Sequence, residues 1–295
     1  MAVYTHLTSA QISTYIAPFA VGELVTFKGI SGGIENTNYF VTTHIDGQPE
    51  QDFVLTLFED LGYEEIPYFV ELTEHLVAHK VTVPAPLRDT QGTTLSWLAG
   101  KPALLFPRFA GDHLARSDIG TAECAIMGAE LARLHVAGQQ FTIARHSHRG
   151  ATWWNQLGPQ AADCIDPEDA TMLMMAIGQY DAMQAQVPDL PMGVVHGDLF
   201  HDNALFNQGQ LSATIDLYNA SNDYLLFDVA VTVNDWCIAP DGSIEPALYD
   251  AFLQAYAQVR PFNDAERQYW NAMLVAAAMR FWLSRLETFH GLDSH

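Results

Sequence analysis

Val194-Val195-His196-Gly197-Asp198-Leu199-Phe200-His201-Asp202-Asn203 is the stretch on which the reading of this chain turns. A short strand, a turn at Asn207 to Gln210, and Ile215-Asp216 follow it, so a second acidic residue comes one β-hairpin after Asn203. Downstream, the apolar spacing predicts helices over Tyr224 to Cys237, Ile244 to Val259 and Asp264 to His290. Immediately upstream, Asp118 to Gly138 and Pro167 to Gln186 also read as helices. Further upstream the character changes. Ser9 to Ala17 reads as a short helix stopped by Pro18, and Glu23 to Ile30, Asn36 to Ile45 and Phe53 to Phe58 read as strands. Glu64 to Lys80 has helical spacing, two short strands are expected around Arg88 and Thr94, and Ala103 to Phe109 completes a small sheet. A β-rich first part followed by a mainly helical one predicts an α+β protein rather than a βαβ winding. The aperiodic segment Pro107 to Ser117 is the expected connection, giving domains over 1–109 and 110–295.

The chain has 295 residues, 49% of them hydrophobic, which is enough for a large two-lobed domain or two domains. Its first residues lack a basic start and an apolar middle, and its longest apolar run, Met273 to Met279, lies between Asn271 and Arg280. A cytoplasmic protein without membrane association is expected, as a monomer or homodimer. Cys124, Cys164 and Cys237 have no metal-like spacing and read as reduced thiols. With 35 acidic against 13 basic residues the formal charge is −22, which repels nucleic acid and anionic lipid.

The quoted stretch fits His-x-Asp-Leu-x-x-x-Asn, the catalytic-loop pattern of phosphoryl-transfer enzymes. Four fixed residues in eight positions arise by chance in about one chain of this length in several hundred. The chemistry calls for these residue types. Phosphoryl transfer needs one carboxylate to orient the attacking hydroxyl, and an amide oxygen and a second carboxylate to hold Mg²⁺ against the phosphates. Asp198 fits the first role, Asn203 and Asp216 the second. Two blander readings compete: a hairpin whose polar residues only cap turns, and a hydrolase metal site built from His196, Asp198 and Asp202. The second leaves Asn203 and Asp216 without a purpose. The turn Ser31-Gly32-Gly33 precedes a strand and lies upstream of the motif, where backbone N–H groups can approach phosphates.

These residues resemble the aminoglycoside phosphotransferase and choline kinase superfamily, and most closely its homoserine kinase family. The resemblance runs the length of the chain: Gly33-Ile34-Glu35-Asn36-Thr37-Asn38, Val54-Leu55-Thr56-Leu57, Leu131-Ala132-Arg133-Leu134-His135, His196 to Phe206, Asn222-Asp223-Tyr224, Asn234-Asp235-Trp236 and Arg280-Phe281-Trp282-Leu283-Ser284. It implies a bilobal protein-kinase-like fold, with an amino-terminal antiparallel sheet of five or six strands carrying one helix and a mainly helical second lobe. It also implies ATP and Mg²⁺ as cofactors and transfer of the γ-phosphate to L-homoserine in threonine biosynthesis. Kinases place a Lys on the third strand to hold the α- and β-phosphates. Here Thr56 stands in that stretch, so Lys28 is the candidate to share the phosphate charge with Ser31, Gly32 and Gly33, while Glu71 and Glu74 become surface charges.

For the acceptor, Asn234-Asp235-Trp236 resembles a stretch near the acceptor pocket of choline kinases and nominates Asp235 for the ammonium and Trp236 as a wall; Arg280, on an aromatic helix, either meets the carboxylate, a role that a guanidinium fork suits, or pairs with an acidic neighbour. His135 and Asp228 are expected to brace the catalytic loop. Another amino alcohol or sugar-like acceptor, such as choline or an aminoglycoside, is the alternative; a quaternary ammonium would need an aromatic cage, which Trp153, Trp154 and Trp236 would have to form in space. A pseudokinase acting as a binding module is a third reading, motivated by the missing strand Lys.

Overall fold

The computed structural model describes residues 3–32, 35–186 and 190–292. The chain divides into two compact units, with the boundary between Ala110 and Gly111.

In the first unit, helix α1 (Ser9–Ile16) starts at a capping box in which Thr8 and Gln11 exchange hydrogen bonds. Strands β1 (Glu23–Gly29), β2 (Asn36–His44), β3 (Gln51–Phe58), β4 (Ser96–Leu98) and β5 (Lys101–Pro107) form one antiparallel sheet in the order β1-β2-β3-β5-β4. Alternation decides which side chains go inside: Tyr39 and Val41 of β2, Phe53, Leu55 and Leu57 of β3, and Ala103 and Leu105 of β5 share a core with Ile12 and Ile16 of α1. Helix α2 (Ile66–Ala78) lies between β3 and β4 in sequence. The sheet has the lower of the two expected strand counts. No strand forms around Arg88 or Thr94, because Asp89 Oδ1 accepts from the N–H groups of Gln91 and Thr93, closing a local turn that competes with strand pairing. The last strand begins instead at Ser96, joined to β5 through Ala99 and Gly100, both at positive φ.

The second unit consists of helices and two small hairpin-like sheets. Its helices are α3 (Thr121–Gly138), α4 (Ala151–Ala162), α5 (Pro167–Gln184), α6 (Leu225–Trp236), α7 (Pro246–Val259) and α8 (Asp264–His290). Strand β6 (Met192–Val195) pairs with β9 (Ser221–Tyr224), and β7 (Ala204–Asn207) pairs with β8 (Gln210–Thr214). Helix α4 was not foreseen from sequence, because Pro159 reads as a breaker. It forms because Trp153, Trp154, Leu157 and Ala161 bury one face against α5, α6 and α8. Helix α6 is buried around nearly its whole circumference and contributes to two cores at once. Leu226, Phe227, Ala230 and Val231 pack with α4, α5 and α8, while Val229, Val233 and Trp236 pack with α3 and α7. That makes α6 the axis of the unit, and every polar group on it is constrained by its surroundings.

Helices α3 and α7 cross at Gly128, where an added Cβ would strike the carbonyl of Phe252. Backbone cannot give way as a side-chain tip can. Gly128→Ala is therefore expected to destabilise the protein by about 1–3 kcal/mol in urea unfolding, overriding the roughly 1 kcal/mol helix advantage of Ala. A neutral or stabilising result would mean that the two helices do not approach this closely.

Candidate functional site

The motif loop leaves β6 and is caught along its length by one face of α6. Asp228 accepts from the backbone N–H of His196 at 2.7 Å and of Gly197 at 2.8 Å. Two turns further along, Asp235 accepts from the N–H of His201 at 2.7 Å, and the Trp236 indole donates to Leu199 O at 3.0 Å. Residues seven and eight apart share a helical face, so α6 acts as a template for the loop backbone. Gly197 sits at φ +77°, and a Cβ there would lie 3.1 Å from Asn219 O, so the turn needs glycine.

Behind Asp228 lies a buried polar chain. His135 Nε2 is 3.0 Å from Asp228 Oδ2, its Nδ1 is 2.7 Å from the Tyr256 hydroxyl, and Arg260 donates to Tyr256 at 3.1 Å and to Glu266 at 2.8 Å. The donors fix the tautomer. Arg260 can only donate, so Tyr256 passes its proton to His135 Nδ1, and His135 Nε2–H donates to the carboxylate. Burial holds the His135 pKa below its usual value, against the opposing pull of Asp228, so the ring is neutral. Burial alone would raise the Asp228 pKa, but its donors outweigh that and hold it low, so it stays ionised. His196 is also held neutral, chiefly by burial; its Nε2 donates to Ile215 O at 3.0 Å, and its Nδ1 has no hydrogen-bond partner among the described residues. His196 is thus buried with one ring nitrogen bonded to backbone, and among the described residues no three His, Cys, Asp or Glu side chains are grouped to hold a metal ion.

Short-range hydrogen bonds tie the backbones of Asp198 and of Ile215, next to Asp216, to Asn203. Asn203 Nδ2 donates to Asp198 O at 2.7 Å, which settles the orientation of the amide and leaves its Oδ1 as an available acceptor. Ile215 N–H donates to Asn203 O at 2.9 Å, extending the β7–β8 ladder and setting Asp216 beside Asn203. Asp216 is exposed and sits in the left-handed region at φ 62°, a conformation that Asp tolerates better than most residues. One amide oxygen and carboxylates on adjoining turns are the hard-oxygen donor set that Mg²⁺ prefers, with phosphate and water completing the shell. The residues present fit that ion.

In the first unit, Ser31 and Gly32 are exposed in the β1–β2 connection, and Gly33 lies outside the described residues. Lys28 is exposed on edge strand β1, in register with Phe40. Thr56, in the strand stretch where kinases carry Lys, is buried and donates to Asn38 Oδ1 at 2.7 Å. Lys101 pairs with Glu59 at 3.1 Å and Glu74 with Arg88 at 2.6 Å, so neither is held in a kinase-type Lys–Glu pair.

The acceptor assignments need correction. Trp236 is 1% exposed and packed in the α3–α7 core, so it walls no open pocket. Asp235 has both oxygens committed: Arg116 reaches Oδ1 at 2.6 Å and His201 takes Oδ2 through its backbone and ring. Its position seven residues after Asp228 makes it a holder of the loop, and an ammonium would have to displace those donors. Trp153, Trp154 and Trp236 form no cage, since the first two belong to a different core from the third. Arg280 is buried, with its guanidinium 3.9 Å from the Phe281 ring centroid. Arg116, His201 and Tyr256 were missed in the sequence because their partners Asp235 and His135 lie far along the chain, and Arg260, whose partners Tyr256 and Glu266 are near, because nothing local ties that group to the loop.

The model of the phosphotransferase enzyme family matches residues 26–262. A homoserine kinase of Ralstonia nicotianae is 40% identical over 301 residues, covering 98% of this chain and 89% of the relative. One of Pseudomonas aeruginosa is 40% identical over 296 residues, covering 99% and 92%. Among solved structures, the amicoumacin kinase hAmiN in complex with AMP-PNP, Ca²⁺ and its ligand superposes with a TM-score of 0.72 at 17% identity, covering 90% of this chain and 81% of that one. The last comparison speaks for the fold alone. No helix among the described residues is long and apolar enough to cross a membrane.

The site also carries a pH signature. Asp223 on β9 accepts only from Tyr224 N–H, at 2.7 Å, pairs with no cation among the described residues, and burial pushes its pKa up to about 6. A raised carboxylate pKa means the folded state binds the proton more tightly, so the cost of ionising Asp223 is absent at low pH and grows as pH rises through about 6. Asp223→Asn should therefore stabilise the protein above pH 6 by about 1–2 kcal/mol, discounted for partial exposure, with the gain gone below about pH 4. Unfolding titrations of both proteins across that range check this; a pH-independent difference would contradict it.

Proposed function

The chain belongs to the phosphotransferase enzyme family and groups with its homoserine kinases, and we propose that it transfers the γ-phosphate of ATP to the side-chain hydroxyl of L-homoserine, giving O-phospho-L-homoserine. The observation that supports this reading is the pair of bonds, 2.7 Å from Asn203 Nδ2 to Asp198 O and 2.9 Å from Ile215 N–H to Asn203 O, which ties Asp198, Asn203 and the residue before Asp216 together.

In this reading the Asp198 carboxylate accepts a hydrogen bond from the acceptor hydroxyl, aims its oxygen in line with the phosphorus, and receives its proton as transfer proceeds. Asn203 Oδ1 and the Asp216 carboxylate are the proposed ligands of Mg²⁺. Bound there, the ion supplies neutralisation of charge on the phosphate oxygens. Asn203 also ties that ligand set to the backbone of Asp198, so displacement of one moves the other. In the first unit, the N–H groups of the Ser31-Gly32-Gly33 turn and the Lys28 ammonium are the groups proposed to meet nucleotide phosphate. With Thr56 neutral, positive charge for the phosphates falls more heavily on the metal than it does in kinases with a strand Lys. The intact acid–amide–acid set supports an active enzyme over a pseudokinase.

Asp198→Ala should lower turnover by about a thousandfold or more while leaving Mg²⁺-dependent nucleotide affinity within a few-fold of the parent. Asp216→Ala should weaken that affinity as well. Coupled ATPase kinetics with L-homoserine, and calorimetric titration of AMP-PNP with and without Mg²⁺, separate the two roles; unchanged turnover in both variants would refute the assignment.

A further inference from the structure

In a chain with 13 basic and 35 acidic residues, a guanidinium is expected to find a carboxylate. Arg88, Arg108, Arg116, Arg133 and Arg260 each do so. Arg149 does not. Among the described residues its guanidinium donates from Nη1 to Ser284 Oγ at 3.2 Å, stands 6.0 Å from the Trp153 ring centroid, and pairs with no acid. Its position also works against helix stability, since a cation just ahead of α4 faces the positive end of that helix. Yet the backbone holds it firmly: the Trp154 indole donates to Arg149 O at 2.6 Å and Arg149 N–H to Ser147 Oγ at 3.3 Å.

Three contacts place this group beside the catalytic loop. Ser284 lies one turn beyond Arg280 on α8, so the two arginines meet the same stretch of helix. The Arg280 guanidinium covers Phe281, and the Phe281 ring is 4.5 Å from that of Phe200, two residues after Asp198. The result is an aromatic pair, Phe200 and Phe281, with the buried Arg280 against it and the half-buried Arg149 one helical turn away, next to the loop that carries the proposed base. The single neutral hydroxyl on Arg149 is a weak partner that a carboxylate would replace with a charge-assisted, forked pair.

We infer that Arg149, acting with Arg280, receives the α-carboxylate of the acceptor and so separates an amino acid from amino alcohols and sugars. This rests on the L-homoserine reading above. Arg149 is then a specificity-determining residue: it touches the acceptor at a point remote from the reacting hydroxyl, and its loss acts on acceptor affinity more than on the chemical step.

The test compares L-homoserine with 3-amino-1-propanol, which keeps the amine and the hydroxyl at the same spacing but lacks the carboxylate. The parent enzyme should favour L-homoserine in kcat/KM by about a hundredfold or more. Arg149→Met should raise KM for L-homoserine by about 10–100-fold, leave KM for ATP unchanged, and leave 3-amino-1-propanol kinetics within about twofold; Arg149→Lys should fall between. Should Arg149→Met fail to fold, Arg149→Lys and the parent's own preference decide the matter. An unchanged KM for L-homoserine, an equal loss on both acceptors, or a parent that does not discriminate between them overturns the inference while leaving the kinase reading intact. A parent enzyme inactive on L-homoserine but active on another acceptor overturns that reading, and this inference with it.

Discussion

The carboxylate of Asp228 is the interaction on which the second unit's chemistry depends. It is fully buried on the central helix and ionised, and it receives the N–H groups of His196 and Gly197 and the Nε2–H of His135. A buried charge survives only where donors surround it, and the acid on α6 draws its donors from two other elements, the histidine of α3 and the backbone of the loop. The loop is thereby held through its main chain rather than through the side chain of Asp198. Asp235 and Trp236 repeat the arrangement two turns later at His201 and Leu199. A catalytic group gains from being fixed before substrate arrives, because the cost of ordering it is met during folding rather than in each turnover.

Much of this was legible in the sequence wherever the determinants are local. The motif from His196 to Asn203 and the downstream Asp216 are close neighbours along the chain, and hairpin geometry alone brings Asn203 and Asp216 together. The β-rich first part and helical second part follow from the change in hydrophobic period. What stayed hidden was long-range. Nothing near Asp235 in sequence announces that Arg116, 119 residues earlier, and His201 will occupy both its oxygens. Trp236 looked like a pocket wall because its motif resembles that of acceptor-binding relatives, yet α6 faces two cores and the ring falls into one of them. Helix α4 was obscured by Pro159, whose local penalty is outweighed by burial of two tryptophans.

Acidity and activity are reconciled by where the cations go. Five arginines pair with carboxylates, Lys101 pairs with Glu59, and the strand position that usually carries Lys holds a threonine bonded to Asn38. These pairs commit six of the 13 basic side chains, so in the proposed reading a bound metal and backbone N–H groups carry much of the recognition of phosphate. The relatives at about 40% identity over nearly the whole chain are homoserine kinases, enzymes named for an acceptor that carries its own carboxylate.

The claim that helix α6 fixes the catalytic loop in the absence of ligands is tested most directly by native-state amide hydrogen exchange on the ligand-free protein. The N–H groups of His196, Gly197 and His201 should exchange as slowly as the interior amides of α6, through the same unfolding of the second unit. Exchange of these three at rates typical of exposed loops, while α6 stays protected, would show that the carboxylates do not hold the loop and would contradict the account.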